Sequence, residues 1–570
     1  MLKIEAKRKL KNYILLEEDM HFKEEAIKIQ KTNNSTEILN RFYKDLEFGT
    51  AGIRGIIGAG TCYMNTYNIK KISQGICNYI LKINKNPKVA ISYDSRYFSK
   101  EFAYNAAQIF ASNNFETTYI YKSLRPSPQL SYTIRKFDCD IGVMITASHN
   151  SKEYNGYKAY WKGGIQIIPP HDTLITNEIK NTKNIINIIT IKEGIEKGII
   201  KELGNEIDEE YVKAINKEFP DFEKNSKETN LKIAYTALHG TGGTIIKKLF
   251  ANSKIRLFLE KNQILPNPEF PTINYPNPEK QTSMLKVIEL AKKEDCDIAL
   301  ATDPDADRIG IAFKDQNEWI FLNGNQISCI LMNYILSKEK NPKNTFVISS
   351  FVTTPMLEKI AKKYGSQIFR TYTGFKWIGS LINEMEKNEP NKKFAFACEE
   401  SHGYLIGRKV RDKDAFSAIK GICSLALDLK AKQQTIKDYL EKIYKEFGYY
   451  EEFNIEKNFE GANGEIQREK LMLKLRKEQK VQFAGIKIIE KLDYKTLKKI
   501  NFKNEISEIK EYKYPINAIK FILENEIAII VRPSGTEPKI KFYTSVKLEY
   551  KEKHKIFDII NAIKMEIKKY

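Results

Sequence analysis

The run Cys296-Asp297-Ile298-Ala299-Leu300-Ala301-Thr302 leads directly into Asp303-Pro304-Asp305-Ala306-Asp307-Arg308. The first half reads as a short apolar strand that must be buried. The second half carries three carboxylates at alternate positions, which an extended turn can point to one side. Like charges this close repel one another unless something positive sits among them. A hard divalent cation fits, because Mg²⁺ takes carboxylate oxygens together with a phosphate oxygen. A calcium loop of the EF-hand type does not fit: its sixth and twelfth positions need glycine and glutamate, and Arg308 and Lys314 stand there. A solvated acidic turn would account for the carboxylates, but not for the strand before them or the arginine after them.

Other apolar strands also end in polar loops. "DIGVMITASHN" stops at Thr146-Ala147-Ser148-His149-Asn150, "LKIAYTALHGTGG" at a glycine turn, and "KFAFAC" at Glu399-Glu400-Ser401-His402-Gly403-Tyr404. Amphipathic stretches such as "SKEFAYNAAQIFASNN" lie between strands, a βαβ rhythm that predicts α/β layers. At 570 residues the chain is too long for one core. The expected division is a helical extension over 1–44, broken at "KTNNSTE", and three α/β domains over 45–204, 205–314 and 315–454. Residues 455–570 read as a charge-rich connector followed by a smaller α+β domain.

Ligands in parallel α/β sheets gather where strands end, so these loops are the candidate sites. Arg532-Pro533-Ser534-Gly535-Thr536-Glu537-Pro538-Lys539 combines a forked cation, two hydroxyls, a flexible glycine and a lysine, which suits a phosphate. Glu399 and Ser401 suit sugar hydroxyls, yet that loop alone is weak, as is Thr373–Trp377. Phe48–Gly55, "FGTAGIRG", leaves Arg54 to face an anion or simply to close a turn. Arg411-Asp412-Lys413-Asp414 reads as a solvated charge run. Asp94 and Arg96 of "YDSR" read as a buried ion pair. "HGTGG" lacks the lysine of a phosphate loop and reads as a structural strand-to-helix turn.

Composition narrows the classes. The formal charge is +21, from 93 basic and 72 acidic residues. The lysines are spread along the chain rather than blocked, which argues against a nucleic-acid surface. Seven cysteines with no C-x-x-C pair suggest reduced thiols and a cytoplasmic setting. The first twenty residues lack the apolar core of a signal peptide, and no 18-residue apolar run predicts a membrane span.

In combination the loops resemble the α-D-phosphohexomutase superfamily, the phosphoglucomutases and phosphomannomutases, over about residues 45–550. "TASHN", "DPDADR" and "RPSGTEPK" carry the resemblance. "FGTAGIRG", "EYNGYK" and "TGFKWIG" are most similar to the branch of phosphoglucomutases and phosphopentomutases. The resemblance implies four domains round a central cleft, three mixed α/β and one smaller α+β. It implies that Ser148 carries phosphate and that Mg²⁺ sits on Asp303, Asp305, Asp307 and the phosphoserine. Lys158 would be the general acid/base, Arg54 and Arg308 would stabilise the moving phosphoryl group, and His149, Lys376 and Lys413 would support the site. Glu399 and Ser401 would hold sugar hydroxyls; Arg532, Ser534, Gly535 and Thr536 would hold the other phosphate. Lys158, crowded by cations, would have a depressed pKa.

The implied reaction interconverts glucose 1-phosphate and glucose 6-phosphate, with glucose 1,6-bisphosphate as intermediate and activator, in a monomer or homodimer. A mannose, ribose or deoxyribose phosphate is the alternative substrate. A phosphatase with Asp303 as nucleophile is the rival chemistry, but it leaves Ser148 and the Arg532 loop unexplained. Three positions depart from the common pattern: Ser151 for proline, Ala415 for glycine, and His402 for an apolar residue, the last bearing on sugar preference.

Overall fold

A computed structural model describes residues 2–46, 52–183, 185, 189–459, 461–478, 480–501, 503, 505–512, 514–534 and 539–570. The chain divides into two compact units. Met1–Ile327, Asn344–Val347 and Gly374–Thr435 form the first; Ser328–Lys343, Ile348–Thr373 and Ile436–Tyr570 form the second.

The first unit begins with the helices Leu2–Leu16, Met20–Thr32 and Ser35–Phe42. The expected break falls where Asn33 turns left-handed and Asn34 caps the third helix by accepting from the amides of Thr36 and Glu37. An earlier break at Glu17–Asp19 is capped by Asp19. Ala6, Leu10, Tyr13, Ala26, Ile29, Ile38 and Phe42 form the helices' own core. Their polar side chains grip the turn that follows the strand Ile53–Ile56. Glu25 accepts the Ala59 amide at 2.7 Å, and Arg41 bonds both Glu25 and the Ala59 carbonyl.

Two mixed sheets follow. In the first the order is Ile53–Ile56, Tyr154–Trp161, Ile141–Ile145, Lys88–Tyr93, Thr117–Tyr121, Ile200–Leu203. The last four strands run parallel, and Tyr154–Trp161 returns antiparallel beside Ile141–Ile145. In the second sheet Ile298–Thr302 lies parallel to Lys232–Thr236 and antiparallel to Ile309–Asp315. Ile141–Ile145 and Ile298–Thr302 are buried at every position, so their apolar runs are core strands. A third return brings Gly403–Ile406 back antiparallel to Lys393–Glu399, with Glu399 opposite Gly403. One device thus recurs: a buried strand, a short polar loop, and an antiparallel strand that carries the chain back past the loop.

The second unit contains an antiparallel sheet in the order Tyr449–Asn458, Lys539–Leu548, Ala528–Pro533, Ile519–Leu523, Ile486–Asp493, Lys498–Asn501, Ile506–Glu508. The helices Gly461–Lys477 and Ile556–Lys568 supply Leu471, Met472, Leu475, Ile560 and Ile563 to its core. The charge-rich segment after residue 455 therefore contributes a packed helix and strands. Mixed sheets followed by a smaller α+β unit are the fold class read from the sequence. Among the described residues no helix is long and apolar enough to cross a membrane.

Lys420, on the helix Ala415–Lys430, is buried; its ammonium lies 3.6 Å from the Phe222 ring centroid and bonds the Leu249 carbonyl. Burial holds its pKa down to about 8, against about 10.4 in an unfolded chain. The group's stabilising contribution is therefore present above the unfolded pKa and is lost as pH falls through 8. Relative to Lys420→Met, the wild type should gain stability between pH 7 and pH 10, by roughly 1–3 kcal/mol. Urea midpoints of both proteins at the two pH values read this; a difference that stays constant with pH contradicts it.

Candidate active site

Ser148 follows the buried strand Ile141–Ile145 and takes a left-handed backbone, φ +52°. Its amide donates to Thr146 Oγ1 at 2.8 Å, and Thr146 Oγ1 donates to Asp94 at 2.6 Å. The serine hydroxyl donates to Asp303 Oδ2 at 2.7 Å and lies 3.2 Å from His149 Nδ1. Two loops 155 residues apart in sequence are thus in direct contact.

Asp303, Asp305 and Asp307 are all buried, and each offers a carboxylate oxygen within 4.8 Å of the others. The loop is shaped by its own backbone. The amides of Asp307 and Arg308 both donate to Asp303 Oδ1 at 3.0 Å, and Ala306 turns left-handed at φ +50°. Lys158, on the returning strand, donates to Asp305 at 2.6 Å and to Asp307 at 3.2 Å; Lys413 pairs with Asp307 at 3.0 Å. Asp305 Oδ1 and Asp307 Oδ1 are buried and accept no hydrogen bond among the described residues. Such orphaned oxygens on converging carboxylates are what a hard divalent cation takes up. The donor set fits a metal.

Electrostatics separate the three acids. Burial and the neighbouring Asp307 and Asp305 push the Asp303 carboxyl well up. Burial would do the same to Asp307, but Lys413, Lys158 and Arg308 pull it below the usual carboxylate range. Burial and nearby Arg308 and Arg54 drive His149 well down, so its imidazole is neutral. Lys158 differs from expectation. Burial lowers its pKa, yet Asp305 and Asp307 outweigh burial and raise it. The sequence shows the cations around Lys158; it does not show two carboxylates within hydrogen-bond reach.

Arg54, from the strand Ile53–Ile56, donates to the Asn150 side chain at 2.8 Å. Arg308 pairs with Glu279. Glu399, buried at the end of the strand Lys393–Glu399, accepts the Gly374 amide at 2.6 Å and so ties Gly374 to the Glu399–Tyr404 loop. Ser401 is half-buried between the paired strands. Lys376 is buried with Asp172 as its acidic neighbour at 3.9 Å, away from the carboxylate trio's ion pairs. Arg532 and Ser534 lie at the end of the strand Ala528–Pro533 in the second unit. Gly535 and Thr536 lie outside the described residues, as do Phe48–Ala51 of the glycine-rich loop.

Several sequence readings change. Residues 411–414 are a buried loop, not a solvated charge run. Arg411 is wholly buried between Asn383, Glu386 and the carbonyls of Arg408 and Val410. Asp412 accepts from Tyr160 and Gln166, and Asp414 caps the next helix. A Cβ on Gly403 would meet the Lys413 side chain at 2.1 Å, so glycine there lets the lysine pass to Asp307. His402 is committed to the fold: Nδ1 bonds the Ile309 carbonyl at 2.9 Å, and the ring stacks near Phe321. Asp94 and Arg96 do form a buried pair at 3.3 Å. Arg96 also reaches four carbonyls of the serine loop, which no local pattern announces. Ser127 was missed; its hydroxyl donates to Asp305 Oδ2 at 2.7 Å and its amide to the Asp305 carbonyl. The only signal was a serine between prolines at a helix start.

The "HGTGG" turn supports the aspartate loop. Thr241 donates to the Pro304 carbonyl through both amide and hydroxyl, and a Cβ on Gly240 would sit 2.2 Å from Pro304 Cα. Gly240→Ala should therefore displace the aspartates and weaken divalent-ion binding by about 10–100-fold, as disturbed support of metal ligands does. Titration of Mn²⁺ into the variant, followed by calorimetry, checks this; wild-type affinity would refute it.

Comparison with known proteins is consistent along the chain. Models of the phosphoglucomutase/phosphomannomutase α/β/α domains I, II and III match residues 45–185, 209–316 and 323–447, and the C-terminal domain model matches 490–563. A phosphoglucomutase from Staphylococcus epidermidis is 34% identical over 90% of this chain and 92% of its own length. One from Staphylococcus haemolyticus is 35% identical over 89% and 91%. Among solved structures, a phosphoglucomutase/phosphomannomutase family protein from Burkholderia thailandensis superimposes with a TM-score of 0.66 at 16% identity, covering 91% of this chain and 97% of that one. The Paramecium phosphoglucomutase pp63/parafusin, in an open form, gives 0.66 at 20% identity over 89% and 91%.

Proposed function

The chain belongs to the phosphoglucomutase/phosphomannomutase family, and from that premise we propose that it is a phosphoglucomutase that moves a phosphoryl group between the 1- and 6-positions of glucose through Ser148. The observation that carries this reading is the Ser148 hydroxyl set 2.7 Å from Asp303 inside the buried carboxylate–lysine cluster.

The cycle begins with phosphate on Ser148 Oγ. A hydroxyl of the bound sugar monophosphate attacks that phosphorus and loses its proton, the bond to Oγ breaks, and a sugar bisphosphate forms. After the bisphosphate turns over, its other phosphoryl group returns to Oγ and the isomer leaves. Phosphoryl transfer is mostly positioning and charge stabilisation. Asp303, Asp305, Asp307 and the serine phosphate would hold Mg²⁺, which supplies a compact double charge against the phosphate oxygens. Lys158 Nζ, held protonated by Asp305 and Asp307, is assigned as the acid/base and must give up a carboxylate partner before it takes the proton of the attacking hydroxyl. Arg54 and Arg308 add positive charge beside the transferring group, and neutral His149 lies against Ser148 Oγ. Glu399 and Ser401 offer acceptors to sugar hydroxyls, with Lys413 near Glu399, and Lys376 is assigned to support the site. Arg532, Ser534, Gly535 and Thr536 are assigned to the phosphate that stays. Asp303 is a poor phosphatase nucleophile, since Oδ1 accepts two amides and Oδ2 the serine.

Ser148→Ala should abolish interconversion of glucose 1-phosphate and glucose 6-phosphate, a loss on the order of 10⁴-fold or more, as for other lost nucleophiles. Peptide mapping of wild type incubated with glucose 1,6-bisphosphate should find phosphate on Ser148. Retained activity in the variant, or phosphate on an aspartate, overturns the assignment. A panel of mannose, ribose and deoxyribose 1-phosphates, each with its bisphosphate, tests the glucose preference.

A further inference from the structure

Arg96 stands outside the reacting groups, yet it is tied to the loop that presents the serine. Its side chain is wholly buried. One terminal nitrogen donates to the carbonyls of Ser151 at 2.7 Å and Tyr154 at 3.0 Å; the other donates to those of Ser148 and Asn150, both at 2.5 Å. Asp94 fixes the guanidinium from behind, accepts the Arg96 amide and the Ser99 hydroxyl, and takes the Thr146 hydroxyl. Thr146 in turn accepts the Ser148 amide. The face of the guanidinium lies 5.1 Å from the Phe270 ring centroid.

We propose that Arg96 is a positioning residue for phosphoryl transfer, holding Ser148 in its left-handed backbone so that Oγ faces Asp303. The inference rests on Ser148 being the phosphoryl carrier. A left-handed serine is sterically unfavourable and persists only where its surroundings over-determine it. Here the surroundings are a closed circuit. Arg96 holds the Ser148 carbonyl, Thr146 holds its amide, and Asp94 holds both Arg96 and Thr146. The peptide planes on both sides of the serine are thereby fixed without any group touching Oγ. Residues 148–153 lie between the strands Ile141–Ile145 and Tyr154–Trp161, and there the carbonyls of Ser148 and Asn150 are held by this fork. Lysine cannot replace it: its ammonium is a point charge with three donors, whereas the planar guanidinium serves four acceptors on two sides.

The test uses Arg96→Lys in the full chain. Rapid-quench mass spectrometry follows phosphate transfer from glucose 1,6-bisphosphate to dephosphorylated Ser148, and steady-state assays give kcat and KM. The expected result is a fall of about 100-fold in the transfer rate and in kcat, the scale of a misplacement near 1 Å. KM and the affinity of the dephosphorylated enzyme for glucose 6-phosphate should stay within about twofold. Thr146→Val opens the same circuit from the amide side and should slow transfer about tenfold with the same constant KM, so the inference remains testable if Arg96→Lys does not fold. Wild-type transfer rates in a folded Arg96→Lys or Thr146→Val protein, or a kcat unchanged while KM rises, overturn the inference. A wild type that takes no phosphate on Ser148 overturns the functional reading itself, which is a separate outcome.

Discussion

Three carboxylates buried within 4.8 Å of one another are the constraint on which the first unit depends. Two unit charges 4 Å apart repel by about 4 kcal/mol at an effective dielectric near 20, and burial adds a desolvation cost for each. Asp305, Asp307 and Asp303 can share that space only because cations and donors reach them from elsewhere in the chain. Lys158 comes from the serine sheet, Lys413 from the loop after Gly403–Ile406, and Ser127 from the start of the helix Ser127–Lys136. The charge cluster therefore dictates which loops must meet. Ser148 joins as a neutral hydroxyl donor to Asp303, the acid whose carboxyl is pushed well up.

The recurring strand, polar loop and antiparallel return makes this meeting possible. A buried parallel strand delivers its last residue to the sheet edge with little freedom. The returning strand then lays further residues alongside it in fixed register. Lys158 lies opposite Met144, so the lysine is held close to the loop that begins at Thr146. The third return places Gly403 opposite Glu399, and an isolated bridge between Arg308 and Gly403 joins the second return to the third. His402 strengthens that joint through the Ile309 carbonyl. The histidine that departs from the common pattern is thus part of the seam between two site loops.

How much of this was readable in advance depends on how local each signal is. Asp303, Asp305 and Asp307 are legible because their alternation and the strand before them lie within a dozen residues. Ser148 and Lys158 are assigned roles by resemblance alone, since ten residues of spacing say nothing about a hairpin until the register is known. Residues 411–414 were misread because charge-rich runs are usually solvated, and burial is decided by partners such as Tyr160, Gln166, Asn383 and Glu386, far away in sequence. The helix after Gly461 was obscured for the same reason: its charged surface hides Leu471, Met472 and Leu475, which only the sheet beneath reveals as core. Arg96 was seen as a partner of Asp94 but not as a brace, because its other partners are backbone carbonyls, which every residue has.

The positive charge of the chain also reads differently once its location is known. A surplus of +21 invites a search for an anionic partner on the surface. The cations that shape the site are buried, and they divide by chemistry. Three arginines brace backbone: Arg96 spans four carbonyls of the serine loop, Arg411 two carbonyls plus Asn383 and Glu386, and Arg125 two carbonyls plus Asp208. Lys158 and Lys413 face the carboxylates. The division follows from the groups themselves. A guanidinium keeps its proton under burial and distributes five donors in a plane, so it suits a permanent structural junction. An ammonium concentrates its charge at one atom, and here Asp305 and Asp307 hold its proton in place by raising the Lys158 pKa. Arg96 behind the serine loop and Lys158 against the aspartates follow this division.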